Sequence, residues 1–280
     1  MSYSIQDFTL TNGCPSRLLI VSPDNVPTNA VIQFVYGFGE HIEMFEEFGR
    51  FFAENGFAFV VHDQQGHGLR AKENHTQGIV STYQDFLDDI TLVRKKIDAD
   101  FQNLPIILFG FSMGGNIVLN YLLTYPDAPY IKTVAQSPWL RLAKPQPKLA
   151  DFLAAAIGKL TPKPTLNAKL DFEKIMHDPK SVAVLRADNI YHMRMGLRLY
   201  TEVRKHGEFA LAHAAQIHVP LLLLQGDDDA IVSPQATYEF ANLAGTNVQL
   251  VKIADGYHAL HVDTDAEMVR DKIVHFVDGK

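Results

Sequence analysis

Residues 104–115 read Leu-Pro-Ile-Ile-Leu-Phe-Gly-Phe-Ser-Met-Gly-Gly. The apolar run 106–111 is short and bounded by turn residues, as a strand buried on both faces is, and residues 114–125 follow with helical period. Between them Gly110, Ser112 and Gly114 stand at the G-x-S-x-G spacing, in the one context that gives it meaning: strand, sharp turn, helix. A serine at such a turn takes a strained backbone conformation, and the flanking glycines leave room where side chains would meet the neighbouring strand and helix. The helix start aims backbone donors and positive potential at the same point. A glycine turn that merely begins a helix is the plainer reading; the context favours Ser112 as a nucleophile held above a sheet edge.

Outward from this stretch, further strand-like runs fall at 31–36, 57–61, 131–135, 221–224 and 248–253, with helix-period segments at 44–55, 83–100, 234–244 and 266–277. This alternation predicts an α/β fold with a mostly parallel central sheet of about eight strands and helices on both faces. Residues 8–10 and 18–21, around Asn12-Gly13 and Pro15, predict an antiparallel hairpin leading in. From 138 to 210 the alternation breaks: there are six prolines and no convincing strand. Leu149, Phe152, Leu153, Ala156, Ile157 and Leu160 share one helix face there. The expectation is a core of residues 1–137 and 211–280 with a helical cap, 138–210, over the C-terminal sheet edge, where α/β proteins bind ligands.

A serine hydroxyl needs a general base oriented by a carboxylate. The run 221–224 leads into Asp227-Asp228-Asp229, one of which should be the orienting acid, and the run 248–253 leads to His258. Three adjacent aspartates, or His258 with His261, invite a metal reading, but no H-E-x-x-H and no third ligand accompany them. An oxyanion needs two N–H donors. Met113 follows the nucleophile, and Phe38 lies between Gly37 and Gly39 just after the run 31–36. Asp63 and the Gly66-His67-Gly68 turn are expected to brace the site.

The 280 residues hold 25 Lys+Arg against 32 Asp+Glu, a net charge of −7 that argues against nucleic acid as partner. With 47% hydrophobic residues there is ample material for a core. No apolar stretch is long enough to cross a bilayer, and residues 1–13 carry no secretory leader, which points to a cytoplasmic location. The single cysteine, Cys14, excludes an internal disulfide and a cysteine-based zinc site.

Taken together, Gly37–His41 (GFGEH), 62–68 (HDQQGHG), 110–115 (GFSMGG), 221–232 (LLLLQGDDDAIV) and 255–261 (DGYHALH) resemble the α/β-hydrolase branch of monoacylglycerol lipases and bacterial lysophospholipase-like hydrolases, grouped with serine aminopeptidases. The likeness runs from about Ser16 to Val277. It implies a triad of Ser112, Asp229 and His258, with oxyanion donors at Phe38 and Met113. Two positions depart from the family pattern: Tyr36 stands where histidine is usual, and Gln65 where arginine is. The implied reaction is hydrolysis of a small-molecule acyl ester through an acyl-enzyme, with no cofactor and no metal. The cap's Trp139, Phe152, Ile157 and Tyr191 are candidate contacts for a medium or long acyl chain. Lysophospholipase, short-chain carboxylesterase and thioesterase activities are alternatives. An aminopeptidase would need a carboxylate for the substrate ammonium, for which Glu173, Asp188 and Glu202 are candidates. A ligand receptor without turnover is the reading from another class, and the oligomeric state stays open.

The charge is unevenly spread. Residues 138–210 hold 13 Lys+Arg and 7 Asp+Glu, so the cap is basic and the body acidic. Besides chance segregation on two solvated surfaces, this is compatible with a transient contact between cap and anionic lipid.

Overall fold

The computed structural model describes residues 1–24 and 26–279. Its strands are Ser2–Thr9 (β1), Pro15–Ser22 (β2), Ala30–Val35 (β3), Phe57–His62 (β4), Ile106–Phe111 (β5), Lys132–Gln136 (β6), Thr165–Asn167 (β7), Arg194–Gly196 (β8), Leu221–Gly226 (β9) and Val248–Ile253 (β10). Among the described residues, eight of them form one sheet in the order β1-β2-β4-β3-β5-β6-β9-β10. β2 runs antiparallel to β1 and β4, and every other pair is parallel.

The helices are Glu46–Glu54 (α1), Gly68–Glu73 (α2), Tyr83–Asp100 (α3), Met113–Thr124 (α4), Lys148–Leu160 (α5), Pro179–Ala187 (α6), Leu197–His213 (α7), Pro234–Ala244 (α8) and Ala266–Asp278 (α9). Local chemistry starts several of them. Thr82 and Asp85 form a capping box on α3, and α8 opens with Pro234 in its first turn behind a Ser233 cap. The period-2 alternation of the strands sorts the core onto two faces. Val31, Leu108 and Leu223 pack under α3, α4, α7 and α8, whereas Ile32, Phe109 and Leu222 pack under α1 and α9.

Two expectations need correction. Residues 138–210 do contain strands: β7 and β8 pair antiparallel, Thr165 opposite Gly196. At three residues each, they are too short to show a period. The segment expected as one helix from Met44 begins instead with a 3-10 turn, Ile42–Phe45, before α1. Within 138–210, α7 packs on α4, and α5 and α6 lie beside the cavity described below. Parallel β3, β5, β9 and β10 all end at the same sheet edge, and the segments leaving them carry the candidate site.

Candidate active site

Ser112 sits between β5 and α4 with φ 54° and ψ −114°, a region that L-residues rarely adopt. The turn is fixed from both sides: Ser112 N–H donates to the Gln136 carbonyl at 2.9 Å, and its own carbonyl accepts Trp139 N–H at 2.9 Å. A Cβ on Gly114 would lie 1.9 Å from the Val35 carbonyl oxygen, so the turn closes only with glycine there.

Ser112 Oγ lies 2.8 Å from His258 Nε2, and His258 Nδ1 lies 2.7 Å from Asp229 Oδ2. A carboxylate only accepts, so Nδ1 donates to Asp229 and Nε2 is left to accept the serine proton. Of the three aspartates, Asp227 accepts the Tyr238 hydroxyl and Asp228 is exposed, while Asp229 is buried. Its carboxylate also accepts Ile231 N–H at 2.8 Å, Val232 N–H at 3.0 Å and the Gln225 amide at 3.2 Å, so its orientation is over-determined. His261 stands apart: it is buried beside Gln136 Nε2 at 2.8 Å, and burial pushes it down to about 3, a neutral ring.

The loop after β3 passes over Ser112. A Cβ on Gly37 would lie 3.1 Å from Ser112 Cβ, and Gly39 has φ +84°. Among the described residues, neither Phe38 N–H nor Met113 N–H is used by another hydrogen bond. Tyr36 explains how the loop stands without the usual histidine. Its hydroxyl donates to Asp63 Oδ1 at 3.2 Å and accepts Gln64 N–H at 2.8 Å, while Gln64 Nε2 donates to the Tyr36 carbonyl at 2.9 Å. Asp63 further accepts Ile42 N–H at 3.0 Å and Arg17 Nη2–H at 3.0 Å; burial nonetheless pushes it up to about 6. Gln65 takes part through its carbonyl, 2.8 Å from His67 Nδ1. The His67 and His192 rings meet the Phe38 ring edge-on, at 5.9 and 5.6 Å between centroids. Glu40 accepts Gly37 N–H at 2.6 Å; burial pushes its carboxyl up to about 8 against that bond, so it is largely protonated at neutral pH.

A cavity of about 900 Å³ opens from Ser112 and His258 toward the cap. Its wall is mainly apolar and includes Trp139, Tyr191, Met195, Leu185 and Ile231. Phe152 and Ile157, expected as acyl contacts, do not line it: they are 69% and 41% exposed. The periodicity of α5 is real, but its bulky face points to solvent. The helix turns its small side inward, with Ala150 and Ala154 on the cavity and Gly158 so close to Arg198 that a Cβ would stand 3.0 Å from that residue's backbone. Asp151, on the inner side, accepts the Tyr200 hydroxyl at 2.7 Å and pairs with Arg204 at 2.9 Å. The 150, 154, 158 spacing of small residues was the sequence signal for this orientation.

Glu173, Asp188 and Glu202 are not in the cavity wall; they pair with Arg186, with His41, and with His206 and Lys205. The carboxylates that do line it are Glu40, Asp151 and Asp171. Sequence reasoning missed Ser137, Ile175, His192 and Asp263, and named Asp188 only as an ammonium candidate; all five hold the loops of the site from the cap side or the next strand. Contacts between segments so far apart leave no mark in local pattern.

Known proteins are similar to this chain in sequence and in fold. The monoglyceride lipase of Homo sapiens is 29% identical over 245 residues, 85% of this chain and 78% of that protein. An uncharacterized abhydrolase domain-containing protein of Dictyostelium discoideum is 26% identical over 253 residues, 89% of this chain; the chain spans only 26% of that protein's length. A solved structure of a soluble variant of the Saccharomyces cerevisiae monoglyceride lipase, in complex with a substrate analog, has the same fold. It matches with a TM-score of 0.88 at 20% identity, over 100% of this chain and 96% of that one. The model of the serine aminopeptidase S33 hydrolase family matches residues 26–265, and the chain belongs to that family.

Proposed function

We propose that the chain hydrolyses carboxylic esters through an acyl-enzyme, with Ser112 as nucleophile, His258 as general base and Asp229 as its orienting acid. The observation that carries this reading is the unbroken hydrogen-bond chain from Asp229 through His258 to Ser112 Oγ at the mouth of an apolar cavity. As Oγ attacks the ester carbonyl, its proton passes to His258 Nε2. The oxyanion is stabilised by Phe38 and Met113 N–H, and the leaving alkoxide takes the proton back from His258. Water then attacks the acyl-enzyme by the same route, releasing the acid and restoring Ser112. No cofactor enters these steps.

The substrate class is a monoacylglycerol with a medium or long acyl chain. The size and apolar wall of the cavity support it, as do the monoglyceride lipases among the relatives. Ser112→Ala should lower kcat for such esters by about a thousandfold or more. Residual turnover near the wild-type level would sink the assignment, and a chain-length series peaking at acetyl would overturn the substrate class.

The reading includes a transient contact between cap and anionic lipid. Leu149, Phe152, Leu153, Ile157 and Leu160 form an exposed apolar face on α5 within the basic part of the chain, and no helix among the described residues is long and apolar enough to cross a membrane. Co-sedimentation with vesicles should grow with anionic lipid content and weaken with salt. Sedimentation indifferent to both would remove this part of the reading.

A further inference from the structure

Between β10 and α9 the chain carries His258 and, five residues on, Asp263; both are bound to one turn of the cap. The Ile175 carbonyl accepts the N–H of His258 at 3.0 Å and of Ala259 at 2.9 Å. Asp263 holds that turn from its other end. Its Oδ1 accepts N–H from His177 at 2.7 Å, Asp178 at 2.9 Å and Thr264 at 2.8 Å, and its Oδ2 lies 2.9 Å from His177 Nδ1. Ser181 Oγ adds a bond to the Val262 carbonyl at 2.9 Å, and the His177 ring stacks on Tyr257 with 3.5 Å between centroids. On the core side, Ser137 Oγ donates to the His258 carbonyl at 2.8 Å. The His258 backbone is thus gripped by the cap at its N–H and by the end of β6 at its C=O. With the backbone held, the reach of the ring from Asp229 to Ser112 is set by where that grip sits.

We propose that Asp263 is a positioning residue for His258, acting through the Ile175–Asp178 turn, so that the cap is part of the mounting of the general base as well as a wall of the acyl cavity. The proposal rests on the reading of Ser112 and His258 as nucleophile and base. A buried carboxylate that accepts two backbone N–H groups of the turn, and a third from its own neighbour Thr264, fixes that turn more firmly than packing alone, because charge-assisted bonds are short and directional. Releasing it lets the Ile175 carbonyl, and with it His258, drift from the geometry that proton transfer requires.

The test compares Asp263→Ala with Asp263→Asn in purified protein, with active sites titrated by a fluorophosphonate probe. Asp263→Ala should lower kcat per active site by about 10- to 100-fold with KM little changed, since a small misplacement of a catalytic group costs that much. Labelling of Ser112 should slow in proportion, because that reaction uses the base but not the acyl cavity. Asp263→Asn keeps an oxygen for the backbone donors and should recover most of the rate. A purely structural role would reduce the amount of folded protein and leave the rate per active site unchanged. If the alanine variant does not fold, Asp263→Ser, too short to span to His177 and Asp178, takes its place with the same expectation. Wild-type rates per active site in the folded variant, or equal losses in it and in Asp263→Asn, would overturn the proposal. Wild-type protein that fails to label would instead overturn the reading of Ser112.

Discussion

His41 Nε2 lies 2.9 Å from Asp188 Oδ2, joining the loop after β3 to the cap. His41 Nδ1 lies 2.8 Å from Glu43 Oε2, and Glu43 is also bound by Arg17. Burial alone would push His41 down, but its bonds to Glu43 and Asp188 outweigh it and hold the ring above its usual 6.5. Burial would push Asp188 up, but Tyr191 N–H, His41 and Ile190 N–H hold it below its usual 3.8. The His41 contribution is complete below pH 6.5 and is lost as pH rises through its raised value; that of Asp188 is complete above 3.8 and is lost as pH falls through its lowered one. The junction is therefore firmest between these limits. His41→Asn should destabilise the fold more at pH 5 than at pH 9, as read by urea unfolding. An equal loss at both would show that titration of His41 is not linked to folding.

Glu40 has a slope of the same sign as His41, from a different cause. Its carboxyl keeps a proton to about 8 when folded and loses it near 4.5 when unfolded, so stability falls as pH rises between those values. Glu40→Gln retains an oxygen for Gly37 N–H and has no such proton. Its stability relative to wild type should climb from pH 5 to pH 8 and level off above. A flat difference across urea unfolding curves at pH 5, 7 and 9 would contradict this.

Gly39, in the loop after β3, lies directly against the cap. Its carbonyl accepts His192 N–H at 3.0 Å, and a Cβ would lie 2.2 Å from the His192 carbonyl oxygen at a φ of +84°. Gly39→Ala should cost about 1–3 kcal/mol from backbone strain, before any displacement of the cap. Because Phe38 is next in the chain, kcat should fall further, by about 10- to 100-fold. Thermal unfolding and steady-state kinetics on the same preparation separate the two effects.

The sequence made the central sheet legible because parallel strands buried on both faces are short, largely apolar runs, as β3, β4, β5 and β9 are, and the runs of β6 and of the half-exposed edge strand β10 were bounded by turn residues as well. Ser112 was legible for a related reason: its glycines and its place between strand and helix are all local. Asp229 could be chosen from three aspartates only by family likeness, since what distinguishes it is burial beside His258. The cap was least legible. The amphipathic pattern of α5 says that one side is apolar but not which side meets water, and β7 and β8 exist only through pairing across 26 intervening residues or more.

That orientation of α5 yields a prediction with an internal control. Ala154 lines the cavity and Phe152, two residues away, is exposed. Ala154→Phe should shorten the preferred acyl chain, lowering kcat/KM for the longest esters by about tenfold or more, the scale set by a few methylenes in an apolar pocket. Phe152→Ala should leave the preference for soluble esters unchanged. Chain-length profiles of both variants decide it, and a shift in the second but not the first would reverse the assigned orientation.

One helix thus serves two environments. The backbone that presents Leu149, Phe152 and Leu160 to the surroundings also carries Ala150 and Ala154 along the acyl wall, with no intervening layer between them. Detergent or lipid settling against the outer side would press on the same helix that bounds the inner one. A ranking of substrates obtained with dissolved esters is therefore expected to change when the same esters are dispersed in vesicles, and assays of one ester series in both media check this.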